Sequence, residues 1–417
     1  MTKICSIIEV ETRKVLKPFL VSNQSNSFQV LFIMAKAIIS YKFRINPSKA
    51  QAAKLENTLN LCRELYNAAL SERREAYRLN RITITRFDQD KQLPEIKKTN
   101  PEYLGVHSQV LQDVLKRLDK AFQSFFSRVK QGVKAGFPRF KGKNWFDSFC
   151  YAQSGFSLSG NKLTLSKIGT VKLKLSRDVI GKVKTCQIKR EIDKWFVIFT
   201  VETLPEPLPK TGQSIGIDAG ISAFLTLSDG TQIDNFKYYE STQKKLRVAQ
   251  RNVSRKKKGS NRRRKAVLQL KKIHQKIKNK RNDFGHKVST YLVKQYDIIA
   301  IEKLNLLGLS RGILSKQMHD AAIGNFFQKL KSKAESADKR VIEVPAAYTS
   351  QDCSGCGNRV KKDLSVRVHH CLQCGLILDR DWNAAKNIHS AGLADKSVKW
   401  AVAPCLLLES PSITVSV

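Results

Sequence analysis

The stretch Ser214-Ile215-Gly216-Ile217-Asp218-Ala219-Gly220 decides how the rest of the chain is read. An apolar run ends in a carboxylate and is followed at once by glycine. Phe224-Leu225-Thr226-Leu227 and then Asp229-Gly230 read as a second strand and a tight turn, while Leu208-Pro209-Lys210-Thr211-Gly212 upstream reads as a linker. A carboxylate on a buried strand is costly unless it is paired or holds a cation. A strand-end Asp also caps turns, so this stretch alone leaves both roles open.

Working outward, a second apolar run, Asp297-Ile298-Ile299-Ala300-Ile301-Glu302, again ends in an acid. A third acid, Asp381, stands in Leu378-Asp379-Arg380-Asp381-Trp382-Asn383-Ala384-Ala385-Lys386-Asn387-Ile388, where a helix starts and an Asp is often only its N-cap. Adjacent parallel strands place Asp218 and Glu302 side by side, and the helix can bring Asp381 opposite them. Three carboxylates in one site repel unless hard cations lie between them. Two Mg²⁺ (or Mn²⁺) ions about 4 Å apart can activate water and stabilise the leaving oxygen of a phosphodiester.

The composition supplies a matching substrate. The 417 residues carry 75 Lys and Arg against 35 Asp and Glu, a formal net charge of +40. Such a chain repels itself unless a polyanion neutralises it, and nucleic acid is the natural one. No apolar run approaches the ~20 residues of a membrane span. The bias peaks between Arg251 and Lys287, with 16 Lys or Arg against one Asp. Within the helical pattern of 238–295, broken near Lys258-Gly259-Ser260-Asn261, the residues Lys256, Lys257, Lys258, Arg262, Arg263 and Arg264 are the candidate nucleic-acid contacts.

Of nine cysteines, four form two Cys-x-x-Cys pairs, Cys353/Cys356 and Cys371/Cys374, 14 residues apart and each followed by glycine. That spacing is near the zinc-ribbon pattern, and four thiolates leave no open position for chemistry, so a structural zinc is expected. His369 and His370 adjoin the third ligand and read as polar surface, with substitution for a ligand as the other option. The scattered remaining cysteines suit a reducing, intracellular compartment.

The rest of the chain falls into blocks. Residues 1–33 show no periodicity, Met34 is a plausible start, and the first 33 residues are expected to be dispensable. A strand over 36–45 precedes a helix opened by Ser48 and Gln51 as a capping box, with Leu55, Leu59, Cys62, Tyr66 and Ala69 as its apolar stripe. After a polar, Pro-punctuated stretch to Tyr103, Val114, Leu118, Phe122, Phe125 and Val129 repeat the pattern, so 48–133 reads as a helical domain packed on itself. Short β-rich runs (162–166, 170–175, 185–190, 195–201) suggest a small barrel that the strand 36–45 joins. Leu304–Gln317 reads as a loop, His319–Ala337 as an amphipathic helix and Arg340–Val344 as a strand.

The order Gly216-Ile217-Asp218-x-Gly220, Ile301-Glu302-Lys303-Leu304-Asn305, the two cysteine pairs, and Asp379-Arg380-Asp381-x-Asn383-Ala384-Ala385-x-Asn387-Ile388 resembles the TnpB family of transposon-encoded nucleases. Tyr41-Lys42-Phe43-Arg44-Ile45-Asn46-Pro47 resembles that family's start, so the likeness covers roughly 36–400. It implies a multidomain α/β plus β-barrel architecture. The barrel is a wedge-type one (34–47 and 136–210) carrying an inserted helical recognition domain (48–135). An RNase H-like (RuvC) nuclease domain (211–347 and 378–399) is split by a zinc ribbon (348–377), and a tail (400–417) follows.

The resemblance further implies that Asp218, Glu302 and Asp381 are the catalytic, metal-holding acids and that Cys353, Cys356, Cys371 and Cys374 hold zinc. Asp381 rather than Asp379 is the acid because it stands two residues before Asn383. The implied partners are a guide RNA from the transposon end and a double-stranded DNA target, in a prokaryotic cytoplasm at the nucleoid. Strand transfer by a transposase or recombinase using the same acids, or a non-cleaving RNA-dependent DNA-binding regulator, are the alternatives.

Overall fold

Two sheets and one small hairpin organise the chain. The computed structural model describes residues 37–394 apart from 144, 205–206, 221, 236–237, 305–321 and 364–365. The expectations for residues 1–33 and 400–417, and for the loop beyond Leu304, therefore lie outside the described residues.

The first sheet has seven antiparallel strands: β1 (Ala37–Asn46), β2 (Ser148–Tyr151), β3 (Phe156–Ser159), β4 (Lys162–Leu165), β5 (Gly169–Lys174), β6 (Lys182–Glu191) and β7 (Lys194–Thr203), ordered β2-β6-β7-β1-β5-β4-β3. β1 runs from Ala37↔Thr203 to Ile45↔Trp195 along β7, so the strand expected at 36–45 does sit in this sheet. β2 and β3 had no counterpart in the sequence reading. These two end strands are not paired with each other among the described residues, so the hydrogen bonds trace an open sheet rather than a closed barrel.

Between β1 and β2 come α1 (Lys49–Asn80), α2 (Arg86–Thr99), a 3₁₀ turn (Pro101–Gly105) and α3 (Ser108–Lys130). Ser48 and Gln51 cap α1 reciprocally, as expected. α2 lies inside the stretch read as polar and Pro-punctuated. It has its own capping box, Thr85 with Asp88, and it buries only Gln89 and Leu93. A helix held by Gln89 donating to the Ala69 carbonyl and accepting from Arg73 shows no apolar stripe to read. The helices do not pack only on themselves. Leu59, Leu70 and Leu118 belong to the same buried cluster as Phe43, Phe149 and Phe199 of the sheet. Helices and sheet thus share one core.

The second sheet combines β8 (Ser214–Ala219), β9 (Ala223–Leu227), β10 (Gln232–Asp234), β11 (Ile298–Glu302) and β12 (Arg340–Val344), ordered β10-β9-β8-β11-β12. β8, β11 and β12 are parallel, and β9 and β10 return antiparallel. The helices are α4 (Tyr238–Ser254) and α5 (Asn261–Gln295) before β11, α6 (Ile323–Ser336) before β12, and α7 (Arg380–Leu393) at the end. The break between α4 and α5 falls at the expected glycine, Gly259, at φ 86°. Ile215, Ile217, Ile299 and Ile301 pack with Val288 and Leu292 of α5 and Phe326 and Leu330 of α6. Ile298 and Ala300 face the other way, with Ile388 of α7. Strands buried on both faces read as unbroken apolar runs, which is why the two acids at their ends stood out. No helix among the described residues is long and apolar enough to cross a membrane.

α7 lies very close to the sheet. A Cβ on Gly216 would come 2.3 Å from the Ala385 carbonyl oxygen and 2.5 Å from the His389 nitrogen; one on Gly392 would come 2.4 Å from Ala300 Cβ. The obstacles at Gly216 are backbone, so they cannot swing away. Gly216→Ala is expected to destabilise the fold by about 1–3 kcal/mol and to lift α7 off β8, read as a lowered denaturation midpoint. An unchanged midpoint would show that the helix is not seated there.

Candidate carboxylate site and cysteine cluster

The parallel register pairs Ile217 with Ile301, and the next residue of each strand is an acid, Asp218 and Glu302. Side chains alternate along a strand, so Asp218 shares the face of Gly216 and Glu302 shares that of Ala300. That is the α7 face. Asp379 accepts from the backbone nitrogens of Asp381 and Trp382 and so caps α7. The cap role is therefore taken, and Asp381 in the first turn is left for another use. Trp382 fastens this end of the helix by donating to the Ser228 carbonyl at 3.0 Å.

Asp218 feels the other two acids. Burial first, then the charges of Glu302 and Asp381, push the Asp218 carboxyl up to about 8, with Arg380 opposing. Burial also raises Glu302, against a hydrogen bond from the Thr349 hydroxyl to its carboxylate. Asp381 Oδ1 accepts from Arg380 Nε and Nη2, both at 3.1 Å, and Arg367 stands 3.6 Å from Oδ2. The carboxylates do not all come within 4.8 Å of one another; among the described residues the cysteine set alone does so. Anionic oxygens at the carboxyl ends of parallel strands suit magnesium or manganese, which retain water between themselves and some ligands.

The four thiols meet a stricter test. Cys353 Sγ to Cys374 Sγ and Cys356 Sγ to Cys371 Sγ are each 3.6 Å. Zn–S bonds of about 2.3 Å in a tetrahedron imply sulfur separations of about 3.8 Å, so the four residues fit zinc. Gly357 and Gly375 take φ of 76° and 71°, the turn expected after each pair. Backbone N–H groups, that of Cys374 foremost, push the Cys371 thiol down to about 6. β13 (Val368–His370) and β14 (Ile377–Asp379) bracket the second pair. His369 corrects the reading as polar surface: it is fully buried, with Nδ1 against Lys362 Nζ, whereas His370 is exposed. Neither belongs to the four-sulfur cluster.

Residues that the sequence reading missed join the two sites. Asn383, fully buried, donates to the Asp352 carbonyl at 2.8 Å and accepts from Ser354 N, inside the first cysteine pair, at 2.9 Å. Asn387 donates to the Thr349 and Asp352 carbonyls at 2.8 and 2.6 Å. Two asparagines four apart on a helix share a face, and that spacing was the available signal. Thr349, which reaches Glu302, carried none.

Of the six basic candidates, Lys257, Lys258, Arg262 and Arg264 are exposed, and Lys256 is half-buried. Arg263 is half-buried, and its Nη1 donates to the Val253 and Lys256 carbonyls, pinning the α4–α5 connection. Arg263 and Arg264 line a cavity of about 670 Å³ shared with Lys189, Arg190, Lys271 and Lys278.

Two outcomes follow. Cys353→Ser is expected to release bound zinc and lower the denaturation midpoint, since structural zinc binding is coupled to folding; a purified chain without zinc would contradict this. For Asp218, the folded state keeps a proton that the unfolded chain releases near pH 4. Its contribution to stability is therefore full below about pH 4 and lost as pH rises through about 8. Relative to Asp218→Asn, wild type in magnesium-free buffer should lose stability across that window, and a flat difference would contradict the burial.

Known proteins place this arrangement. Three family models match: one described as "Probable transposase" over residues 193–311, one as "Cas12f1-like, TNB domain" over 324–388, and one as "Helix-turn-helix domain" over 34–81. That last span is here β1 followed by the single helix α1. A Streptomyces pristinaespiralis protein named "Putative RNA-guided DNA endonuclease" is 35% identical over 85% of this chain and 89% of its own length. The Escherichia coli K12 protein "Putative RNA-guided DNA endonuclease InsQ" is 31% identical over 86% of this chain and 93% of its own. In fold, the chain is similar to a Cas12f1 solved in complex with sgRNA and target DNA, at TM-score 0.53 and 13% identity over 82% of each chain. By its motifs and by these relatives, the chain belongs to the TnpB family.

Proposed function

We propose that this protein is an RNA-guided DNA endonuclease of a transposable element, cleaving phosphodiesters at Asp218, Glu302 and Asp381. The observation that carries the reading is that Asp218 and Glu302 end β8 and β11 on the α7 face while Asp381 opens α7, and that burial first and then the charges of Glu302 and Asp381 raise the Asp218 pKa. The names of the relatives support the same activity. In this reading the second sheet with α4–α7 is the RuvC-like domain (211–347 and 378–399), interrupted by a ribbon (348–377) that holds zinc. The first sheet (34–47 and 136–210) is the wedge-type domain, and 48–135 is the recognition domain inserted in it.

Asp218, Glu302 and Asp381 would hold two magnesium or manganese ions, which when bound supply charge neutralisation and an acidified water. The chain's own part is positional. β8 and β11 fix two carboxylates on a rigid sheet, and the Asp379 cap holds the α7 terminus so that Asp381 points across. Thr349 fixes the Glu302 carboxylate by its hydroxyl. Burial at Asp218 raises the cost of the lone anion, so a cation there gains more than it would at the surface. The guide RNA, transcribed from the transposon end, selects double-stranded DNA by base pairing, and exposed Lys257, Lys258, Arg262 and Arg264 meet backbone phosphate.

Full-length protein with its co-purifying RNA, Mg²⁺ and a plasmid bearing randomised flanks tests this. Linear DNA is expected; joined strand-transfer products would favour a transposase. Asp218→Ala and Glu302→Ala should abolish cutting while nucleic-acid binding persists. Thr349→Val should cost about 10–100-fold in activity, as loss of a ligand's hydrogen-bond partner commonly does, with Thr349→Ser restoring it. Undiminished cutting by the alanine variants would place the chemistry elsewhere.

A further inference from the structure

The apolar stripe of α3 outlasts the core it serves. Leu118 is fully buried, yet on the following turns Phe126 and Val129 are 59% and 53% exposed. Phe126 does not stand alone. Phe122, Phe125, Phe126 and Phe137 touch in a ring cluster with centroids 5.2–6.2 Å apart. With Phe140 of the following segment, Phe122, Phe126 and Phe137 line an open cavity of about 930 Å³ beside α1.

Arginines are interleaved with these rings. Arg74 lies over Phe137 and Phe140, 5.8 and 5.3 Å from their centroids, and Arg73 lies 5.3 Å from that of Phe122. Arg73 is only 8% exposed and pairs with Gln89 and Asp119, but its buried Nη2 has no hydrogen-bond partner.

We propose that this cavity is a binding site for unpaired nucleobases, which stack on the exposed phenylalanine rings. The lining favours that occupant over a protein helix. Its apolar surface is mainly flat rings, with Ile84 its one aliphatic side chain, and arginines outnumber the carboxylates Glu75 and Asp119, whereas helix-binding grooves rely on flexible aliphatic surface. The chain's +40 charge also fits a polyanionic strand. Stacking on aromatic faces tolerates any base, so the site serves single strands irrespective of sequence. It stands apart from the carboxylate site and does not depend on the reading given to it.

The test uses full-length protein freed of bound nucleic acid and short single strands, DNA or RNA, carrying 2-aminopurine, against a hairpin duplex of equal charge. Wild type should quench the 2-aminopurine. Phe126→Ala with Phe140→Ala, both at exposed positions, should weaken single-strand binding about tenfold or more and remove the quenching. Duplex affinity and the salt dependence of binding should stay unchanged, because no phosphate contact is lost. Phe126→Leu, which keeps apolar surface but no ring, should behave like Phe126→Ala. A preference between the DNA and RNA arms would identify the strand. Equal losses for single strand and duplex, or no loss, would overturn the proposal. So would a concentration-dependent dimer in sedimentation that Phe126→Ala dissolves, since the cavity would then hold a second copy of the chain.

Discussion

Contact between the backbone of α7 and the middle of β8 is the constraint on which the candidate site rests. Gly216 lies so close to the Ala385 carbonyl and the His389 amide that no side chain fits between them. Gly392 makes the matching approach to Ala300 on the neighbouring strand. A helix held at that distance has no freedom to slide, so its first turn, and Asp381 with it, is set relative to the strand ends. Residues two further along each strand on the same face are Asp218 and Glu302. The glycines therefore act on the acids through geometry alone.

The ribbon belongs to the same piece of architecture. Its four sulfurs leave no position for a reactant, yet Asn383 and Asn387 hold its base against α7, and Thr349 at its edge bonds Glu302. A four-cysteine cluster far along the chain thereby steadies a carboxylate on a central strand. Two sites that look separate in sequence share one short chain of hydrogen bonds.

Charge acts at a different scale. A surplus of forty positive charges cannot be balanced by the ion pairs within the fold. Some basic residues bond within the fold, as Arg263 does at the α4–α5 turn and Lys339 does with Asp297. The remainder give a surface that attracts a polyanion by sign.

Much of this was legible in the chain itself. Apolar runs ending in acids marked β8 and β11, because strands buried on both faces tolerate a charge only where they end. The cysteine spacing marked the four-sulfur cluster, and Ser48 with Gln51 marked the start of α1, since both patterns are local chemistry at short range. The tertiary structure alone decided the rest. It seated α2 through Gln89 and Arg73, polar groups that leave no periodicity, and it joined the helices to the core of the first sheet. It buried His369 and tied Arg263 to the α4–α5 connection. It also brought Thr349 to Glu302, a pairing between residues 47 apart in sequence that no local pattern encodes.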